Sequence, residues 1–96
     1  MRLHSAYYTY IVECSDGSYY TGKTNDIYRR IKQHNGLLSG GAKYTQRRRP
    51  IKLVHCEQYV TNKFACHREA EIKRLTRLQK KQLIEGVAKL ILKQSK

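Results

Sequence analysis

The sequence predicts a small α+β domain: a three-stranded, mainly antiparallel sheet flanked by helices, in the order ββαβαα. Three observations predict it. The chain has 96 residues with 40% hydrophobic content, enough for one modest core and one domain. Two β-prone runs, YYTYIVEC and SYYTGKT, flank Asp16-Gly17, a dipeptide that favours a tight hairpin. After the hairpin, segments of helical spacing surround a single further strand.

Tyr7 to Cys14 is the first strand and Ser18 to Thr24 the returning one. Asn25 or Asp26 can cap a helix running through IYRRIKQHN to about residue 35. Residues 36–50, GLLSGGAKYTQRRRP, hold three of the six glycines and the only proline, so a long basic loop is expected. Ile51 to Val60 partly alternates and reads as the third strand. Thr61 or Asn62 caps a second helix, KFACHREAEIKRL, to about residue 75. Thr76 can restart a third helix with Leu83, Val87, Leu90 and Ile91 on one stripe. Gly86 inside it costs roughly 1 kcal/mol against Ala.

The charge narrows the function. Lys and Arg number 20 against 7 Asp and Glu, a formal net charge of +13, which makes nucleic acid the expected partner. There is no run of 18 apolar residues and no apolar core in MRLHSAYYTY, so no membrane role and a soluble, cytoplasmic protein are expected. Cys14, Cys56 and Cys66 include no C-x-x-C pair and read as reduced thiols in or near the core.

Gly17 to Thr24 also matches G-x-x-x-x-G-K-[ST], the phosphate-cradling loop of nucleotide binders. Such proteins wrap a parallel sheet in helices, which usually takes well over about a hundred residues. Here the intervening residues are strand formers directly after a turn. A nucleotide binder is therefore the remote alternative.

Several residues can do phosphate chemistry. Arg30 and His34 stand at i, i+4 on one helix face, flanked by Ile27 and Ile31. That spacing suits a phosphate site at the margin of a buried stripe, and equally suits solvated surface. On the second helix Glu69 and Glu71 lie on opposite margins of the apolar side. Either could hold one divalent cation completed by waters, or pair with Arg68, Lys73 and Arg74. Five of the eight tyrosines fall in the hairpin, with Tyr8 and Tyr10 on one face and Tyr7 on the other. Lys43, Tyr44, Arg47, Arg48 and Arg49 mix charge with an aromatic, the composition of a surface that tracks phosphates and stacks a base.

Taken in order, these residues resemble the GIY-YIG nuclease family. Tyr8-Thr9-Tyr10 stands where its first motif would be, and Tyr20-Thr21-Gly22 where its second would be. Thr9 and Thr21 occupy the central Ile positions, and Tyr8 the leading Gly. Arg30 and His34 follow at the family's offsets, and HREAEIKRL resembles its Glu-bearing helix, favouring Glu69 over Glu71. GAKYTQRRRP and REAEIKRL together are similar to the small stand-alone, single-domain subfamily (UPF0213-like). The resemblance covers about residues 6–85 of a single domain over 1–96, with 86–96 as a C-terminal helical extension.

The resemblance implies a metal-dependent DNA endonuclease acting on single-stranded or branched DNA. Its catalytic set would be Tyr10, Tyr20, Arg30, His34 and Glu69. Glu69 would hold one Mg²⁺ or Mn²⁺, and Arg30 would clamp the scissile phosphate. Tyr10 would accept the water's proton, helped by a neighbour that lowers its pKa. Substrate contacts are expected from Tyr8, Lys23, Lys43, Tyr44, Thr45, Arg47, Arg48 and Arg49. The alternative is a nucleic-acid-binding module without catalysis.

Overall fold

A computed structural model describes the backbone of residues 6–94 and the side chains of residues 6–86. Strand β1 (Tyr7–Glu13) turns at Asp16-Gly17 into β2 (Tyr19–Thr24). Gly17 takes φ +81°, a left-handed conformation that costs glycine least. The residues of the G-x-x-x-x-G-K-[ST] match thus lie in a turn and a strand, with no loop to wrap a phosphate.

Asp26 is the cap of α1 (Ile27–His34): its Oδ1 accepts from the Arg29 amide at 3.1 Å. The basic loop is not wholly irregular, as expected, but contains a one-turn helix, α2 (Lys43–Gln46). Strand β3 (Lys52–Tyr59) leads to α3 (Asn62–Lys73), capped by Thr61, whose Oγ1 accepts from the Phe64 amide. Thr76 and Gln79 then exchange side-chain-to-amide bonds of 3.1 and 2.9 Å, a capping box that restarts α4 (Arg77–Gln94). Of the expected stripe on this helix Leu83 is half-buried, while Val87, Leu90 and Ile91 lie outside the described side chains.

The sheet order is β2-β1-β3, antiparallel throughout. Alternation sends β1 side chains to two faces. Tyr10, Val12, Cys14 and Ile51 form a core against Ile27 and Ile31 of α1. The opposite face, with Thr9 and Ile11, packs on α3, where Ala65 and Ile72 are fully buried. Thr9 Oγ1 donates to the Ala65 carbonyl at 2.8 Å. Thr21 pairs with Ile11 across the strands and its buried Oγ1 has no partner among the described residues. Both Thr-for-Ile positions of the motifs therefore belong to packing on α3, away from Tyr10.

The cysteines correct an expectation. All three are free, but only Cys14 is in the core; Cys66 is half-buried and Cys56, on an edge strand, is exposed.

Candidate active site

Tyr10 is on β1, the central strand of the sheet, and it is fully buried. Its cross-strand partner is Gly22, over which the phenol ring lies. A Cβ at position 22 would come within 2.5 Å of the Tyr10 hydroxyl. The missing side chain therefore lets the ring take this pose.

The phenol meets α1 through two residues one turn apart. Tyr10 Oη and His34 Nε2 are 2.8 Å apart, and Arg30 Nε donates to the same oxygen at 3.3 Å. The other side of the ring fixes the His34 tautomer. Thr45 donates its hydroxyl proton to the Ala42 carbonyl (3.0 Å), so its oxygen accepts from His34 Nδ1–H at 2.9 Å. That leaves Nε2 unprotonated, accepting from the Tyr10 O–H. The result is one oriented chain: Arg30 to Tyr10 to His34 to Thr45 to the α2 entry.

The electrostatics follow from burial. Burial first, reinforced by the Arg30 and Arg49 charges, lowers the His34 pKa from 6.5 to about 4, so the imidazole is neutral at pH 7. For Tyr10 the expected lowering does not occur. Burial raises the phenol to about 12, outweighing the hydrogen bond and charge of Arg30, while Tyr20 and Glu69 push it further up. Arg30 is held charged by Tyr10 and Tyr20 despite its own partial burial. Its Nη1 donates to Gln33 Oε1 (3.1 Å) and to the Gly40 carbonyl (2.8 Å). Nη2 has no protein acceptor among the described residues.

Glu69 enters from α3, near enough for its charge to act on Tyr10. Its carboxylate is 22% exposed and its ion-pair partner is Lys73, at 3.6 Å. Glu71 is 64% exposed and pairs with Arg68 at 3.8 Å, away from the Tyr10 cluster. The helical wheel leaves these two equivalent; the fold separates them. Among the described residues no three His, Cys, Asp or Glu side chains converge on a common point. A divalent cation here would have one carboxylate, with waters and substrate oxygens completing the shell, a pattern that Mg²⁺ accepts.

Tyr20 carries the site outward. Its ring meets His34 edge-on at 5.2 Å and stacks on Tyr44 at 6.0 Å; the Arg48 guanidinium sits 3.9 Å from the Tyr44 ring centre. Tyr8 shares the Tyr10 sheet face and is half-buried. Lys43, Tyr44 and Arg47 are exposed and line a concavity of about 620 Å³.

Of the other expected substrate contacts burial excludes Thr45, while Lys23, Arg48 and Arg49 keep exposed surface and also bond within the protein. Thr45 is fully buried and engaged with His34 and Ala42, leaving it no surface for DNA. Lys23 alternates to the α3 side, where its ammonium donates to Asn62 Oδ1 at 3.0 Å. Arg48 bonds Asp16 and the Tyr44 carbonyl, and Arg49 Nε donates to the His34 carbonyl at 2.7 Å. These two arginines hold the loop to the hairpin and to the end of α1.

Reasoning on the sequence missed a second polar cluster, on the α3 side. Glu57 accepts from Arg68 Nε (2.8 Å) and Nη2 (3.1 Å), from Tyr59 (2.5 Å), and pairs with His55 Nε2 (2.7 Å). Burial opposes ionisation, but these bonds prevail and hold its pKa at about 2. Residues 55, 57 and 59 alternate onto one face, the one signal in the sequence that could have grouped them.

A strand-borne Tyr pair, an Arg and a His one helical turn apart, and a carboxylate on a later helix together form a candidate phosphate-binding site. Residues 6–82 match the model of the GIY-YIG catalytic domain, and the chain belongs to that family. Among its curated relatives are UPF0213 proteins. That of Haloquadratum walsbyi is 51% identical over 83 residues, covering 86% of this chain and 91% of the relative. One from Staphylococcus aureus is 49% identical over 80 residues, covering 83% and 95%. Two structures solved by NMR in solution are similar. The UPF0213 protein of Bacillus halodurans has a TM-score of 0.54 at 45% identity, covering 83% of each chain. A protein from E. faecalis has a TM-score of 0.60 at 37% identity, covering 92% of each. No helix among the described residues is long and apolar enough to cross a membrane.

Proposed function

We propose that this protein is a cytoplasmic, metal-dependent DNA endonuclease that hydrolyses phosphodiester bonds in single-stranded or branched DNA. Its nuclease domain would fill most of the chain, with the end of α4 as a helical extension. The observation that carries the reading is the oriented Arg30–Tyr10–His34–Thr45 chain beside Glu69. Family membership and the +13 charge support it.

The scissile phosphate would be held by the free Nη2 of Arg30, whose other nitrogens are fixed by Tyr10, Gln33 and Gly40. Tyr10 is fully buried and donates its proton to His34; once substrate binding admits a water beside the phosphate, its remaining lone pair can accept that water's proton. As the water's O–H bond breaks, the Tyr10 proton moves to His34 Nε2, and the neutral imidazole is free to take it. Burial, then the Arg30 and Arg49 charges, opposes an imidazolium, and the arriving phosphate offsets the Arg30 part of that opposition. Tyr20 orients the phosphate from the other side, and Thr45 positions His34 without touching substrate. Glu69 would hold Mg²⁺ or Mn²⁺, which would supply charge neutralisation at the developing phosphate oxyanion.

One observation favours the second reading, a binding module without catalysis: burial leaves Tyr10 at about 12, far from a ready base. Incubating labelled single-stranded, branched and duplex DNA with Mg²⁺ or Mn²⁺ separates the two. Nicked product is expected from the native chain and none from Glu69→Ala, with folding and DNA affinity nearly unchanged. Undiminished, EDTA-resistant nicking by Glu69→Ala would refute the nuclease reading as stated. Salt-sensitive binding with no nicking under any divalent metal would leave only the binding module.

A further inference from the structure

The loop that follows α1 carries an apolar tip into solvent. Residues 36–40 are all exposed, Leu37 at 73% and Leu38 at 44%. A single exposed leucine is ordinary surface. These two are adjacent, and the backbone beneath them is fixed at both ends.

The Leu37 and Leu38 amides both donate to the Lys32 carbonyl, at 2.9 and 3.3 Å, and the Gly36 amide donates to the Gln33 carbonyl at 3.1 Å. Arg49 Nε binds the His34 carbonyl, and a Cβ at position 36 would come within 2.6 Å of Arg49 Nη1. At the far end the Gly40 carbonyl accepts from Arg30 Nη1 at 2.8 Å. Gly41 lies so close on the last turn of α1 that a Cβ there would strike the Gln33 carbonyl. Leu38 is two peptide units from Gly40, so their Cα atoms are at most about 7.6 Å apart. The leucines are thus set between two guanidiniums, and one of these is the phosphate clamp of the candidate site.

The surrounding charge says what they meet. From Ile27 to Cys56 the chain has eight Lys or Arg and no Asp or Glu. A small free anion would satisfy the arginines and offer nothing to the leucines. A DNA strand offers both a phosphate and, one step along, the apolar face of a base.

We infer that Leu37 and Leu38 form a wedge that enters the base stack beside the phosphate held by Arg30, and that it favours DNA whose stack is already interrupted at a branch over continuous duplex. It rests on the phosphate that the nuclease reading puts at Arg30, and it deepens that reading by naming what marks the substrate. Apolar side chains inserted between base steps unstack and kink a duplex. The cost of opening a stack is least where pairing is already broken. Leucine has no donor or acceptor for a base edge, so such a wedge senses continuity of the stack and not its sequence.

Binding in EDTA tests the wedge apart from cleavage. A DNA fork with 2-aminopurine in the pair beside its branch is compared with an uninterrupted duplex of the same length. The variant is Leu37→Ser with Leu38→Ser. Both side chains are exposed, so it should melt close to the native temperature. The native chain should brighten the 2-aminopurine of the fork and bind the fork about tenfold tighter than the duplex. The variant should lose the brightening and most of that preference. Its duplex affinity and its salt slopes should stay native, since no phosphate contact is removed. Brightening that persists in the variant, or affinity lost equally on fork and duplex, would overturn the wedge. Tighter binding to phosphatidylserine vesicles than to the fork, lost in the variant, would assign the tip to a membrane instead. Brightening by the native chain alone, with no nicking under Mg²⁺ or Mn²⁺, would refute the nuclease reading and uphold the wedge. Nicking with no difference between native chain and variant on the fork would do the opposite.

Discussion

The two faces of the sheet are built from the same three side-chain types with opposite results. On one face Tyr10, His34 and Arg30 meet; on the other, Tyr59, His55 and Arg68 do. Both phenols are pushed up to about 12, Tyr10 by burial and Tyr59 by burial and Glu57. On the α3 face the carboxylate of Glu57 lies at the centre and engages every one of the three partners. On the Tyr10 face no anion among the described residues completes the set, Arg30 keeps a nitrogen without an acceptor there, and Glu69 pairs with Lys73. A saturated cluster holds strand to helix. One short of an anion can receive a phosphate, which residue type alone does not reveal.

Removing the corresponding hydroxyl from each face gives the largest contrast. Tyr10→Phe should lower the cleavage rate by about 10²- to 10⁴-fold, whereas Tyr59→Phe should leave it within a few-fold. Equal losses in a nicking assay would erase the distinction between site and scaffold. Glu57→Gln should do the reverse, costing roughly 1–3 kcal/mol of stability, because Tyr59 and His55 lose their charged acceptor and Arg68 keeps only Glu71 at 3.8 Å. Urea unfolding would show this as a lower midpoint, while the folded fraction nicks DNA at the native rate.

Acid should separate the faces in sequence. His34 titrates at about 4 when folded against 6.5 ordinarily, so falling pH protonates the unfolded chain first. Stability should drop by up to about 3 kcal/mol between pH 6.5 and 4. Glu57, at about 2 against 4.5, adds a second loss as pH falls from 4.5 through 2. Urea midpoints measured across this range should lose their upper window in His34→Gln and keep the lower one. The smallest effect is expected at Thr21, whose buried hydroxyl lacks a partner among the described residues. Thr21→Val should stabilise by about 1 kcal/mol with activity retained, and a lower melting temperature would show that the hydroxyl is satisfied by water.

Much of this was legible locally. Asp16-Gly17 marked the hairpin, Asn25 or Asp26 and Thr61 or Asn62 the helix starts, and the i, i+4 spacing of Arg30 and His34 a shared helix face, which only the family resemblance joined to Tyr10. Each is a short-range signal with one dominant physical cause. The roles of Thr45 and Arg49 were not legible, because a basic loop reads as solvated surface until it folds back on α1. The direction of the Tyr10 shift failed for a related reason. Neighbours can be guessed from a motif, but the depth of burial that outweighs Arg30 is set by the whole core. Glu57 and Arg68 meet across a strand and a helix, a pairing that no periodicity announces.

The contact between Gly22 and the Tyr10 ring has an evolutionary corollary. The two positions are a single coupled unit, since one holds a large ring only while the other holds nothing. A lineage that abandoned the phenol would release position 22 to drift, and one that first gained a side chain there would be pressed to shrink position 10. Among GIY-YIG relatives these two columns should therefore change together, and the glycine would be a record of whether the tyrosine is still in use.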